Sequence, residues 1–207
     1  MKLAIAVPCS FSWVPVAFHE AFTVMRKPAV GYTYIRVKSL HSIEDMRNSS
    51  VQEALRMECT HLLQIDSDMV MHPDTIPVLL SREVDITGAL YFNRFPPFEP
   101  TAIISDTRFP EWLPDDFYEV EKIGAGCLMV RMDVFKAIEP PWFRMLRDET
   151  GKIMLGEDFN FCKRARAVGY KVFCDSTVTA GHATEMVVDG STRTSYEGTV
   201  RRNHDEV

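Results

Sequence analysis

Four short apolar runs, LAIAV at 3–7, TYIRVK at 33–38, HLLQI at 61–65 and DITGAL at 85–90, alternate with stretches of helical spacing at 14–26, 43–58 and 73–82. Short aliphatic or β-branched runs bounded by turn and polar residues read as buried strands. In HPDTIPVLLSR, Pro73 stands where a helix would begin, and there its missing N–H costs nothing. The resulting order, β-α-β-α-β-α-β, leaves little topological choice. Strands joined through helices run parallel, and right-handed crossovers place helices on both faces of the sheet. The expected fold class is α/β: a single Rossmann-like domain with a mostly parallel central sheet.

After residue 90 the rhythm breaks. The stretch YFNRFPPFEPTAIISDTRFPEWLPDDF is rich in Pro and aromatics and predicts a long irregular excursion around one strand at 101–104. Beyond it the pattern predicts a strand at 127–131, a short helix from Met132, an amphipathic helix at 157–168, and strands at 171–174 and 177–180. The tail after Glu185 is polar and aperiodic, so 186–207 reads as a mobile lid or a disordered end.

Composition removes several classes of function. At 207 residues the chain can bury one core without disulfide or metal staples. A net charge of −6 argues against coating nucleic acid through a general basic surface, although a local basic groove remains compatible with it. The five cysteines are an odd number with no CxxC pair, which predicts buried reduced thiols. Pro8 interrupts the apolar start, and no apolar stretch of about 18 residues exists to span a membrane. The expectation is a cytoplasmic protein able to work at the periphery of a membrane.

Chemistry gathers first at LLQIDSDMVMHP, where an apolar strand runs directly into Asp66 and Asp68. Ligands of open α/β sheets bind beyond the carboxyl ends of the strands. In an extended segment two alternate carboxylates project to a common side and repel unless they share a cation. Mg²⁺ or Mn²⁺ prefers oxygen ligands and keeps positions for water and phosphate, so this spacing can hold a nucleoside diphosphate. A solvated strand-end turn is the competing reading. In GEDFNFCKRARAVGY, Glu157 and Asp158 open a helix, where acidic residues also serve as plain dipole caps.

IDSDM, IGAGCLMVRMDVFKAI, PPWF and GEDFNFCKRARAVGYKVFCDSTVTAGH, preceded by RNSSVQEAL at 47–55, together resemble glycosyltransferases of the GT-A fold, in particular the family 2-like group. The matching blocks run in order from Pro8 to His182. The resemblance implies a catalytic domain at 1–185, with 1–90 binding the nucleotide sugar and 91–185 serving the acceptor and catalysis. It implies a metal-dependent transferase, of hexosyltransferase type, moving a sugar from a nucleotide-diphosphate sugar (UDP favoured) to an acceptor hydroxyl on a glycan, lipid-linked saccharide, protein or modified phage DNA base. Asp158 would be the base of an inverting reaction, with Glu157 orienting the acceptor or acting as the alternative base. Asp68 and His182 would hold Mn²⁺ or Mg²⁺, with Asp66 on the metal, its water or the ribose. Pro8, Cys9, Ser10, Arg47, Asn48, Asp66, Gly124, Ala125 and Gly126 would line the nucleotide sugar, and Trp142 and Tyr91 the acceptor side.

Each of these residues also has a plain structural reading: a solvated helix charge for Arg47, a bulge for Gly124, core packing for Tyr91 and Trp142, a hydrogen-bonding strand-end residue for His182. Two other functions fit the same outline, a non-catalytic nucleotide-sugar-binding module and a sugar-phosphate nucleotidyltransferase. The latter should carry a Gly-rich basic loop after its first strand, and VPCSFSWVP has none.

Overall fold

The computed structural model describes residues 1–38, 42–105, 107–108 and 115–184. The tail at 186–207, with the lid expected there, lies outside the described residues. The first half runs β1 (Leu3–Cys9), α1 (Val16–Val24), β2 (Tyr32–Lys38), α2 (Ile43–Arg56), β3 (His61–Ile65), the two-residue β4 (Met69–Val70), α3 (Thr75–Ser81) and β5 (Ile86–Ala89). The second half adds β6 (Ala102–Ile104), β7 (Thr107–Arg108), β8 (Phe117–Val120), β9 (Lys122–Ile123), β10 (Cys127–Arg131) and α4 (Met132–Ala137). After these come β11 (Leu146–Arg147), β12 (Ile153–Leu155), α5 (Glu157–Ala167), β13 (Val172–Asp175) and β14 (Gly181–His182).

Seven strands form the central sheet in the order β2-β1-β3-β10-β5-β13-β8. Five share one direction, and β10 and β8 run against them. The alternation of side chains along β1 divides the core in two. Leu3, Ile5 and Val7 pack with Phe18 of α1 and Ile76 and Leu79 of α3. Ala4 and Ala6 belong to the opposite core with Val51 and Ala54 of α2, Phe135 of α4 and Phe161 of α5. Helices therefore cover both faces, as the alternation of elements requires. Phe143 and Phe161 stack with ring centroids 4.8 Å apart, both fully buried, and burial of each such ring stabilises the fold by roughly 1.5–3 kcal/mol. All five cysteines are buried free thiols.

Two expectations for the second half require correction. Residues 177–180 form a turn and coil, and the strand that follows is only Gly181–His182, paired with β4. The excursion after residue 90 holds more strand than its composition predicts: β6, β7 and β9 form a small sheet, and β8 closes the edge of the main one. These pairings are long-range, with Phe117 to Val120 opposite Asp175 to Val172, and no local periodicity encodes such a partner.

The topology gathers chain ends on one rim. The carboxyl ends of β1, β3 and β5 open there, and the antiparallel β10 starts there because Cys127 pairs with Ile65. Gly88 of β5 lies where β5 and β10 meet, and a Cβ at this position would stand 2.6 Å from the Cys127 carbonyl oxygen. That oxygen is held by the sheet and cannot retreat. Gly88→Ala should therefore destabilise the protein by about 1–3 kcal/mol, read in urea denaturation as a lower midpoint at unchanged slope.

Candidate active site

The rim is organised by one cation. Arg47, on the inner side of α2, is only 3% exposed. Ser42 caps this helix by accepting from the Asp45 N–H, which fixes its first turn next to the strand ends. The Arg47 guanidinium donates from Nε to Glu157 Oε1 at 3.1 Å and from Nη1 to Gln64 Oε1 at 3.2 Å and to the Ala125 carbonyl at 3.1 Å. From Nη2 it donates to Asp66 Oδ2 at 3.0 Å. Burial alone would drive the guanidinium toward neutrality, but the charges of Asp66, Glu157 and Asp158 more than reverse this and keep it cationic.

The segment 124–126 is tied on every side. Asp66 N–H donates to the Gly126 carbonyl at 3.0 Å, and Ala125 N–H reaches Asp158 Oδ2 at 3.3 Å. Both glycines leave room for one ring: a Cβ at Gly124 would overlap the Tyr91 hydroxyl, and one at Gly126 would lie 2.7 Å from Tyr91 Cζ. The hydroxyl accepts from Gly126 N–H at 3.0 Å. The glycine pair thus admits a buried tyrosine, where the sequence points to a sugar.

Asp158 sits in the first turn of α5, partly open to solvent. Burial, reinforced by the Glu157 charge, pushes its carboxyl up to about 6. Glu157 itself is buried and committed to Arg47.

Asp66 and Asp68 do not share an extended face, which corrects the simple picture of the motif. Residues 66–69 turn, with Met69 N–H donating to the Asp66 carbonyl at 3.1 Å. Asp66 faces inward to Arg47, while Asp68 faces Arg94, whose Nη2 lies 2.6 Å from Asp68 Oδ2, and His182, whose Nε2 lies 3.4 Å from the same oxygen. The pairing of His182 with Met69 brings the imidazole to this carboxylate, 114 residues away in sequence. Burial resists the Asp68 charge, but His182 and Arg94 overcome it and hold the carboxyl below its ordinary value.

His182 Nδ1 lies 3.0 Å from the Phe92 carbonyl. As that carbonyl can only accept, Nδ1 carries the hydrogen, and Nε2 faces Asp68, whose carboxylate raises the proton affinity of the ring; the deprotonated Nε2 would offer its lone pair to a cation. Nε2 is buried and makes no close hydrogen bond, with Asp68 Oδ2 3.4 Å away, whereas Asp66 Oδ1 stands 3.0 Å from Arg47 Nη2. Among the described residues no three His, Cys, Asp or Glu side chains already converge on a cation position. The donor set nevertheless fits a divalent ion of the Mn²⁺ or Mg²⁺ type, with one carboxylate oxygen and one imidazole nitrogen that makes no close hydrogen bond facing each other.

No protein-family model and no curated protein sequence matches the chain. Solved structures do. A197 from STIV superimposes with a TM-score of 0.65 at 15% identity over 89% of this chain and 87% of that one. GalNAc-T7, solved with UDP, GalNAc and Mn²⁺, gives 0.58 at 9% identity over 89% of this chain and 44% of its own. TarS 1-349 of S. aureus, in complex with UDP-GlcNAc, gives 0.56 at 13% over 91% and 60%. The chain has a GT-A fold.

Within the GT-A domain the expected residues separate into two groups. Asp66, Tyr91, Gly124, Ala125, Gly126, Glu157 and Asp158 are joined by the contacts above, and Asp68 with His182 forms a second cluster whose imidazole meets the Tyr91 ring edge-on at 5.8 Å. Pro8 and Cys9 end β1 buried, with Cys9 Sγ donating to the Phe11 carbonyl, and Ser10 follows exposed. Three expectations change. Arg47 is a buried ion-pair centre and offers no free face to a nucleotide. Asn48 spends both ends of its amide on the backbone of Phe143, at 2.7 and 3.0 Å. Trp142 belongs to the core, its Nε1 donating to the Phe135 carbonyl at 2.7 Å. Gln64 and Arg94 were not legible as site residues, because neither stands in a recognisable pattern and each gains its partner only on folding.

Replacing Arg47 with Met should cost about 3–5 kcal/mol, because Asp66 and Glu157 would remain buried without their cation. Thermal and denaturant unfolding should show this loss, and the loss should shrink in the Arg47→Met, Glu157→Gln double variant.

Proposed function

We propose that the GT-A domain is a metal-dependent glycosyltransferase that moves a sugar from a nucleotide-diphosphate sugar, with UDP favoured, to an acceptor hydroxyl. The observation that carries this reading is the buried Arg47 bridge, which ties Asp66 at the β3 end to Glu157 at the start of α5, beside the partly open Asp158. The bridge joins a face suited to diphosphate and cation to a face suited to deprotonating an alcohol. The UDP, Mn²⁺ and UDP-GlcNAc in the solved relatives support the donor class.

Asp68 and His182 would hold Mn²⁺ or Mg²⁺, with Asp66 beside them toward the ribose, and the ion would supply positive charge to the departing nucleoside diphosphate. Asp158 takes the proton of the acceptor hydroxyl as that oxygen attacks the sugar C1 on the face opposite the leaving group, which inverts the anomeric centre. Ala125 N–H donating to Oδ2 and Phe159 N–H donating to Oδ1 together orient the Asp158 carboxylate. Glu157, held by Arg47, raises the proton affinity of Asp158 through its charge and sets the position of the α5 start.

Incubation with a panel of nucleotide sugars, Mn²⁺ and candidate hydroxyl acceptors should release nucleoside diphosphate. Asp68→Ala should abolish metal-dependent donor binding. A base must be unprotonated to act, so kcat/KM should climb as pH rises through about 6 and level off above it. Asp158→Asn should lose roughly 10²–10⁴-fold in rate and flatten that limb. Donor binding without release under any acceptor would instead identify a binding module. The likeness to a UDP-glucose pyrophosphorylase (TM-score 0.50, 10% identity, 85% of this chain and 90% of that one) favours one rival. Pyrophosphate-dependent formation of nucleoside triphosphate from the nucleotide sugar is the result that would establish it.

A further inference from the structure

Arg94 belongs to no motif, yet it makes the shortest contact to the carboxylate nearest the cation position: Nη2 to Asp68 Oδ2 at 2.6 Å. That oxygen is also the one facing His182 Nε2, at 3.4 Å. A divalent ion held by Asp68 and His182 would therefore have to compete with a guanidinium already seated on the carboxylate. Charge makes the conflict specific. Arg47 is shared between Asp66 and Glu157, so the one carboxylate at the strand end with a cation of its own is Asp68, and that cation is Arg94.

The local structure lets the tip of Arg94 move while its base stays fixed. The loop is closed at its root by the Phe92–Pro100 bridge and by Asn93 N–H donating to the Glu99 carbonyl at 2.9 Å. The Phe92 carbonyl at that root also holds His182 Nδ1, which anchors the loop to the imidazole. The Arg94 side chain is 42% exposed, against 19% for Asp68. A guanidinium released from a carboxylate beside a diphosphate site is the side chain best shaped to grip phosphate oxygens in pairs.

We propose that Arg94 is a positioning residue for the donor diphosphate, competing with the divalent ion for Asp68 until donor binds and then pairing with the phosphates. The inference rests on the metal-dependent glycosyltransferase reading above. It gives Arg94 opposite effects on two ligands, which a purely structural arginine would not have.

The test is calorimetric, on the full chain. Mn²⁺ alone, and then UDP at saturating Mn²⁺, are titrated into the wild type, Arg94→Ala and Arg94→Lys, with thermal unfolding as the check that the fold is intact. Arg94→Ala should bind Mn²⁺ about fivefold more tightly, since a partly exposed ion pair no longer competes. The same variant should bind UDP in the presence of Mn²⁺ about tenfold or more weakly, because the charge-assisted bonds to phosphate are lost. Arg94→Lys keeps the charge without the fork, so it should restore the Mn²⁺ affinity and recover UDP binding only in part. Unchanged affinities in Arg94→Ala, or a loss of both together, would overturn the role of Arg94 while leaving the glycosyltransferase reading intact. A wild type that binds neither Mn²⁺ nor UDP would overturn both.

Discussion

The buried guanidinium of Arg47 is the constraint on which the rim of this domain depends. One planar group links α2 to β3 through Asp66 and Gln64, to the turn before β10 through the Ala125 carbonyl, and to α5 through Glu157. A buried ion pair contributes little net stability against a well-packed apolar alternative, but loss of one partner leaves an uncompensated charge in the interior. The arrangement therefore fixes geometry more than it adds stability. The two carboxylates it holds lie 91 residues apart in sequence, and their mutual position is set by the rigid fork between them.

Around that centre the site divides by charge and exposure. Arg47 holds Asp66 turned inward, while Asp68 turns outward to Arg94 and His182. Glu157 is spent on the same cation, which leaves Asp158 at the open edge with its proton affinity raised. Each pair of neighbouring acids in the sequence thus yields one structural and one chemically available member. Tyr91 completes the floor: its ring fills the space over the two glycines, and its hydroxyl anchors Gly126 N–H.

Much of this was legible from residue patterns. The alternation of apolar runs and helical spacing up to residue 90 requires a mostly parallel sheet, and the apolar run ending at Asp66 places those carboxylates at its ligand-binding edge. The order of the downstream blocks points to the GT-A fold. The strand 127–131 was evident from its apolar content, but its insertion between β3 and β5, antiparallel to both, was not. Gly124 and Gly126 signal a close approach or a bulge without naming what approaches, and the fold supplies Tyr91. Trp142 and Asn48 were placed at the site by resemblance, whereas their side chains are committed to the backbone of Phe135 and Phe143.

The sequence by itself determined the fold class, the strand that carries the carboxylates and the types of donor atom available, because these follow from periodicity and side-chain chemistry along a contiguous stretch. Only the tertiary structure decided which acid faces which cation. Arg47 with Glu157, Asp68 with Arg94, and His182 beside Asp68 are all contacts across the fold. The last depends on a ladder of just two residue pairs between β4 and β14. Such pairings arise from long-range backbone register and from the cost of leaving buried charge unpaired, and neither leaves a local trace in the chain.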